Sequence, residues 1–202
     1  MPCGPAIDPI RYKNWVDQGE PYSVATCAGF DARQHFEETK MDLEVATIET
    51  IRLKLLGTVA KAALEAGLND EAKSYADQAL ALTAEDRFKN ARPITSESDA
   101  EGDAVFLGNL VLGRLALLRD DVEAAEKYLL LSGQIKDGIE TSFGPNMTLA
   151  RELLKRKRSK VVLQFLEEVK VFWKPPNREE ADKWATVIRA GQIPEDLILT
   201  YY

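Results

Sequence analysis

The sequence predicts an all-α protein: three antiparallel helical hairpins followed by a C-terminal capping helix. Three observations predict it. Apolar residues recur at three- and four-residue spacing in successive pairs of segments. Each pair is joined by a short turn carrying glycine, acids or a basic run. Small residues also stand at matching offsets in the three pairs.

Residues 1–30 hold four prolines and three glycines and form an N-terminal arm, with one short helical candidate around Ile10 to Asp17. Tyr12 and Trp15 share its face. Asp31, three residues before Gln34, marks a helix start, and a helical pattern then runs to Ala66 with an expected break between Phe36 and Met41. The first hairpin, about 43–82, carries Val45, Ile48, Ile51, Leu55, Val59 and Ala62 on one stripe. Gly67 ends that arm, and Asn69 is expected to cap the next, with the acids Asp70 and Glu71 near its positive dipole end. Its second arm carries Ala72, Tyr75, Ala76, Ala79 and Leu82.

Residues 91–103, ARPITSESDAEGD, read as a loop. The second hairpin, 104–132, is the stretch around which the chain is organised. Leu107, Leu110, Val111, Gly113, Leu115 and Leu118 line its first arm, and Val122, Ala125, Leu129 and Ser132 its second. Asp120 and Glu123 have the spacing of a capping box, and Gly113 with Ala125 permits a close helix approach. A connection over 133–146 leads to the third hairpin, 147–173, stopped by Pro175 and Pro176. Asn177 and Glu180 open a last helix to about Ala190, which Gly191 and Pro194 end before the tail DLILTYY. The predicted body is thus 31–176, with 177–202 as capping helix and tail.

Alignment on Ala72, Ala125 and Val162 places Ala60, Gly113 and Ala150 twelve residues earlier, and Ala76, Leu129 and Leu166 four residues later. Small residues where helices cross, with larger apolar ones between, resemble the tetratricopeptide repeat. The resemblance implies a right-handed array whose first helices line a concave groove. The family's aromatic positions are mostly aliphatic here, and its proline after the second helix is missing from the first two units. The runs SFGPNMTLARELL, LEEVKVFWK and IRAGQIP also resemble the C-terminal part of a group of bacterial helical-repeat proteins, which implies an architecture without naming an activity.

A chain of 202 residues is long enough to bury roughly 70% of its unfolded surface. Its net charge of −7 argues against nonspecific nucleic-acid binding. Cys3 and Cys27 have no partner motif, and free thiols in a reducing cytoplasm are the favoured expectation over a disulfide. No signal peptide and no apolar run of membrane-spanning length is evident. No cofactor or metal is expected: phosphate-loop, dinucleotide, nucleophile-elbow and zinc motifs are absent, and His35 is the single histidine. Adjacent acids such as Asp120–Asp121 and Glu167–Glu168 do not face each other on a helix, so caps and solvated faces account for them better than acid–base catalysis.

Charge is unevenly spread. Residues 141–190 carry 11 basic and 6 acidic side chains, whereas 1–140 carry 15 and 25. Arg156, Lys157, Arg158 and Lys160 form a candidate anion patch, although basic residues at a helix end also offset its dipole. From the repeat alignment, the residues following the three crossing positions, Lys61, Arg114 and Arg151, point into the groove that the resemblance implies. Lys54 and Lys155 extend that row. The row suits an acidic or extended peptide through charge-assisted hydrogen bonds, so the expected activity is protein–protein interaction rather than catalysis. The alternative is a small-molecule or phosphate-binding domain using the Arg151–Lys160 region. Phe172, Trp173 and Trp184 are expected to pack the third hairpin against the last helix, with an exposed hot spot as the other option.

Overall fold

The computed structural model describes residues 31–84, 96–173, 178–195 and 197, the side chains of 96–98, 142 and 143 excepted. The N-terminal arm with its candidate helix, both cysteines, the prolines after Trp173, the Asn177 cap and most of the tail lie outside the described residues.

Among the described residues the protein is all-α, with no strand. Its helices are α1 (Ala32–Val45), α2 (Glu49–Glu65), α3 (Asn69–Thr83), α4 (Ser96–Leu118), α5 (Val122–Ser132), α6 (Glu140–Phe143), α7 (Thr148–Lys155), α8 (Ser159–Phe172) and α9 (Arg178–Arg189). Helix α2 packs on α1, α3 and α4; α4 packs also on α3 and α5; α8 packs on α5, α7 and α9.

Asp31 caps α1 as its sequence predicts, its Oδ1 accepting from the Arg33 and Gln34 amides at 2.9 and 3.1 Å. The break after α1 falls at residues 46–48 rather than between Phe36 and Met41. Its cause is a clamp from the next helix: Arg52 Nη1 donates to the carbonyls of Leu43 (2.9 Å) and Ala46 (3.0 Å), which have no intrahelical partner at the end of α1. Ala46 and Ile48 are extended, so the apolar stripe counted across them does not exist as one face. Val45, Ile48 and Ile51 are exposed, and the buried face of α2 is instead Leu53, Leu56, Gly57, Val59, Ala60, Ala62 and Ala63.

The acid-rich segment expected to be a loop is helical from Ser96 onward. The resulting 23-residue α4 is buried on nearly every side. Ala100, Ala104, Val111, Leu112 and Leu115 enter a core shared with α1, α2 and α3. Phe106, Leu107, Leu110, Ala116 and Leu117 enter a second core shared with α5, α7, α8 and α9. Leu118, expected on the stripe, is 63% exposed because the helix ends there. Helices cross α4 at small residues: a side chain on Gly57 would press on Leu107, and one on Gly108 on Leu80. At Gly113 a Cβ would lie 2.3 Å from Leu149 Cδ2 and 3.2 Å from Tyr128 Cβ, so this glycine admits α7 and α5 rather than facing Ala125. Gly113→Leu is expected to destabilise the fold by about 3 kcal/mol, the upper range for overpacking, since Leu149 is fully buried. Urea unfolding checks this, and an unchanged midpoint would remove the close crossing.

Three turns have one geometry. Gly67, Asp120 and Lys157 adopt the left-handed conformation, with φ of 74°, 60° and 63°. The next residue's N–H returns to a carbonyl inside the helix in each: Leu68 to Ala63 (2.9 Å), Asp121 to Ala116 (2.9 Å) and Arg158 to Leu153 (3.0 Å). This bond satisfies a carbonyl that the helix leaves unpaired. Asp120 is therefore a C-terminal cap residue, and Asp121, not Asp120, caps α5 by accepting from the Ala124 amide at 3.0 Å. At α3 the cap position is Leu68 with no side-chain bond, so Asn69 is the first helical residue rather than the cap, while Asp70 and Glu71 lie in the first turn as expected. Gly191 (φ 80°) closes α9 in the same manner, with Gln192 N–H to Val187 O at 3.2 Å.

Candidate functional site

The five cations of the predicted row reach different environments. Lys54 and Lys61 lie on α2, Arg114 on α4, and Arg151 and Lys155 on α7. Lys54 Nζ is 2.9 Å from Asp103 Oδ2 on α4. Lys61 is mostly covered and paired with the buried Glu65 one turn along its own helix, at 3.2 Å. Arg114 holds Glu152 of α7 in a forked contact: Nε to Oε1 and Oε2 at 3.1 and 3.2 Å, and Nη2 to Oε1 at 3.0 Å. That geometry is the bidentate arrangement guanidinium groups favour, and it bolts α7 to α4. Lys155 is exposed. Arg151 differs from the others: its Nε and Nη1 are buried and make no hydrogen bond.

The candidate anion patch is partly stitched to the turn after α4 and to α5. Arg156 donates to Asp120 Oδ1 (2.5 Å) and to the Leu117 carbonyl (3.2 Å), joining the turn after α7 to the turn after α4. Arg158 pairs with Glu126 and lies 4.0 Å from Glu123. The hydrogen bond and charge of Glu126 hold Arg158 above its ordinary range. Lys157 and Lys160 are exposed.

Trp173 and Trp184 are core residues. Trp173 and Trp184 stack with centroids 5.6 Å apart and an interplanar angle of 28°, joining α8 to α9, and both are buried with Phe172. Gly144, at φ 93°, lies against the Trp173 ring. Lys170 links the same two helices from outside, 2.9 Å from Asp182 and 2.6 Å from Glu167.

A cluster that sequence reasoning missed lies where α2, α4 and the 133–147 connection meet. Asp103 is buried in the middle of α4, and its Oδ1 accepts from the Ile139 amide at 2.7 Å. Glu140 is fully buried with neither carboxyl oxygen hydrogen-bonded. A Cβ built on Gly138 would be 2.9 Å from Asp103 Oδ1 and 3.0 Å from Glu140 Oε2, which fixes the two carboxyls as neighbours. Burial, and then the Asp103 charge, push Glu140 up to about 8, with Lys54 pulling weakly the other way. Asp99, on the rim, is raised by burial and by the charges of Asp137 and Asp103. The signal available in the sequence was the pair of Gly–Asp and Asp–Gly steps, Gly102–Asp103 and Asp137–Gly138. The two backbones touch there: a Cβ on Gly102 would fall 1.8 Å from the Asp137 carbonyl oxygen.

Among the described residues, no group of three or more His, Cys, Asp or Glu is placed to hold a metal ion. Nor is any helix among them long and apolar enough to cross a membrane. Comparison of the chain with protein-family models, with curated proteins and with solved structures finds no match in any of the three.

Proposed function

We propose that this chain is a non-enzymatic interaction module of tetratricopeptide-like build, which takes an acidic or extended peptide with Arg151 as the anchoring cation. The architectural part is supported by the register of the turns. Seven residues before Gly67, Asp120 and Lys157 stand the crossing residues Ala60, Gly113 and Ala150, and five after them stand the buried Ala72, Ala125 and Val162. With Gly191 included, the left-handed residues are 53, 37 and 34 apart, the last two near the family's period of about 34. Trp184 fills the crossing position of α9, as suits a capping helix.

The observation that carries the binding part is the unpaired guanidinium. Buried donors without acceptors are uncommon and costly, more so on a charged group. An acidic segment offering two acceptors, one to Nε and one to Nη1 on another edge of the guanidinium, would satisfy both with charge-assisted hydrogen bonds. Exposed Met41, Val45, Ile48 and Ile51 on the last turns of α1 and the start of α2 favour the same class of function, since apolar side chains left uncovered mark partner surfaces. The second reading, a phosphate or small-anion site, is favoured by the exposed Lys155, Lys157 and Lys160 around the turn after α7.

Arg151→Met tests both. It keeps the stem and removes the charge, so the variant is expected to be more stable than wild type by about 1–3 kcal/mol. It is also expected to bind acidic peptides at least about tenfold more weakly, the factor that one charge-assisted hydrogen bond supplies. Fluorescence anisotropy with a panel of acidic peptides, and with inorganic phosphate as competitor, reads the second effect. Equal binding by the variant, or no retained peptide at all, would reject Arg151 as the anchor. Phosphate binding without peptide binding would select the alternative.

A further inference from the structure

We propose that Lys54, Asp103 and Glu140 form a proton-controlled joint between the third hairpin and the first two, shut when Glu140 carries a proton and released when it does not. The triad is the place where one charged side chain arrives from each part: Lys54 from α2, Asp103 from α4 and Glu140 from the connection leading into α7. The inference is independent of which ligand the module takes.

The contacts that shut the joint are short and specific. Ile139 N–H is bound to Asp103 Oδ1 at 2.7 Å, and the Asp137–Gly138 backbone lies directly on Gly102. Within the connection, Thr141 Oγ1 donates to Gly138 O at 2.8 Å and Gly144 N–H to Glu140 O at 2.9 Å, so residues 138–144 move as one piece. Glu140 is inside that piece. A neutral carboxyl in this position costs far less than an ionised one, because it brings no second charge beside Asp103. An ionised one places two buried negative charges side by side with one cation, Lys54, already held by Asp103 at 2.9 Å. The charges facing Glu140 are Asp103 from α4 and Lys54 from α2; at the rim of the cluster Asp99 feels Asp137 and Asp103. Among the described residues no second cation acts on Glu140, so an ionised Glu140 is relieved by hydration, which it reaches by swinging the 138–144 piece off α4.

Movement of this piece has a ready consequence. Gly144 backs the Trp173 ring, so opening the joint loosens the packing at the base of α8 as well. The range over which Glu140 ionises, about 8, falls within reach of ordinary solution conditions.

Hydrogen–deuterium exchange of the Ile139–Gly144 amides between pH 6 and 9, corrected for intrinsic exchange, tests the joint. Once ionisation drives opening, the opening constant rises about tenfold per pH unit. Wild type is expected to lose at least about tenfold protection over this range, while Glu140→Gln holds a flat profile. Asp103→Asn keeps the oxygen that accepts from Ile139 and removes the neighbouring charge, so its transition is expected at lower pH than wild type. Loss of protection in Glu140→Gln with the wild-type pH profile overturns the proposal, as does a wild type that stays flat. If Glu140→Gln does not fold, the Asp103→Asn midpoint decides: a downward shift supports the joint and an unmoved one overturns it.

Discussion

Gly102→Ala is expected to lower stability by about 3 kcal/mol although it replaces glycine by the best helix former in the middle of a helix. Propensity alone favours the alanine by about 1 kcal/mol. Against this stands a contact that cannot be relieved by a side-chain rotation, because the atoms met are the carbonyl oxygen and carbon of Asp137, at 1.8 and 2.6 Å from the new Cβ. To restore ordinary van der Waals distance the connection must back away from α4 by more than an ångström. That retreat stretches the 2.7 Å bond from Ile139 N–H to the Asp103 carboxylate past any useful length. Loss of a hydrogen bond to a charged acceptor costs about 1.5–3 kcal/mol, and overpacking about 1–3 more. For a chain of this length the net effect corresponds to a fall in melting temperature of roughly 6–12 °C. Thermal unfolding of the variant at pH 6 measures it. A wild-type melting temperature would mean that α4 and the connection do not touch at this point.

The second large effect is a change in the shape of the pH–stability curve in Glu140→Gln. The folded protein holds the proton of Glu140 up to about pH 8, whereas the unfolded chain releases it near the ordinary glutamate value of 4.5. Its stabilising share is thus fully present below that lower value and is lost as pH rises through about 8. With the joint held shut the loss approaches about 5 kcal/mol between pH 4.5 and 8.5. Opening of the connection sets a ceiling on it, since the protein need not tolerate an ionised Glu140 once exposing it costs less. Glutamine has no proton to lose and keeps the shape of the buried side chain. The variant is expected to match wild type near pH 5 and to exceed it by a few kcal/mol near pH 8.5. Urea titrations at the two pH values decide the matter, and parallel curves for the two proteins would sink the assignment of the slope to Glu140.

How much of this was legible in the sequence depended on the range of the interactions involved. The turns at Gly67, Asp120 and Lys157 are set within six residues, and the small residues Ala60, Gly113 and Ala150 follow from helix crossings that composition records directly. Helix α1 began at Asp31 as expected because its cap is local. Its end was misplaced because Arg52, nine residues beyond Leu43, holds the terminal carbonyls from the next helix. Likewise SESDAEGD reads as a solvated loop until α2 and the 133–147 connection are brought against it; Asp103 then finds Lys54 and the Ile139 amide, each far away in the chain. The candidate site shows the same division. That Lys61, Arg114 and Arg151 follow crossing residues was visible, but their partners were not. Glu65 and Glu152 are ordinary helix glutamates in the sequence, and only packing distinguishes the paired Lys61 and Arg114 from Arg151. Glu140 gave no signal, since a single glutamate in a polar connection is commonplace until the connection is buried.

Helix α4 separates two apolar clusters and supplies residues to both, with Tyr128 of α5 also touching each. Such a wall has no private side. A fragment that ends before it strips the lid from Leu53, Val59 and Ala76, and a fragment that begins with it turns Val111, Leu112 and Leu115 outward. The protein therefore cannot be cut at α4 into independent halves, as arrays with interchangeable units can. Pieces meeting at this helix would be recoverable only by mixing them, each serving as the other's missing interior.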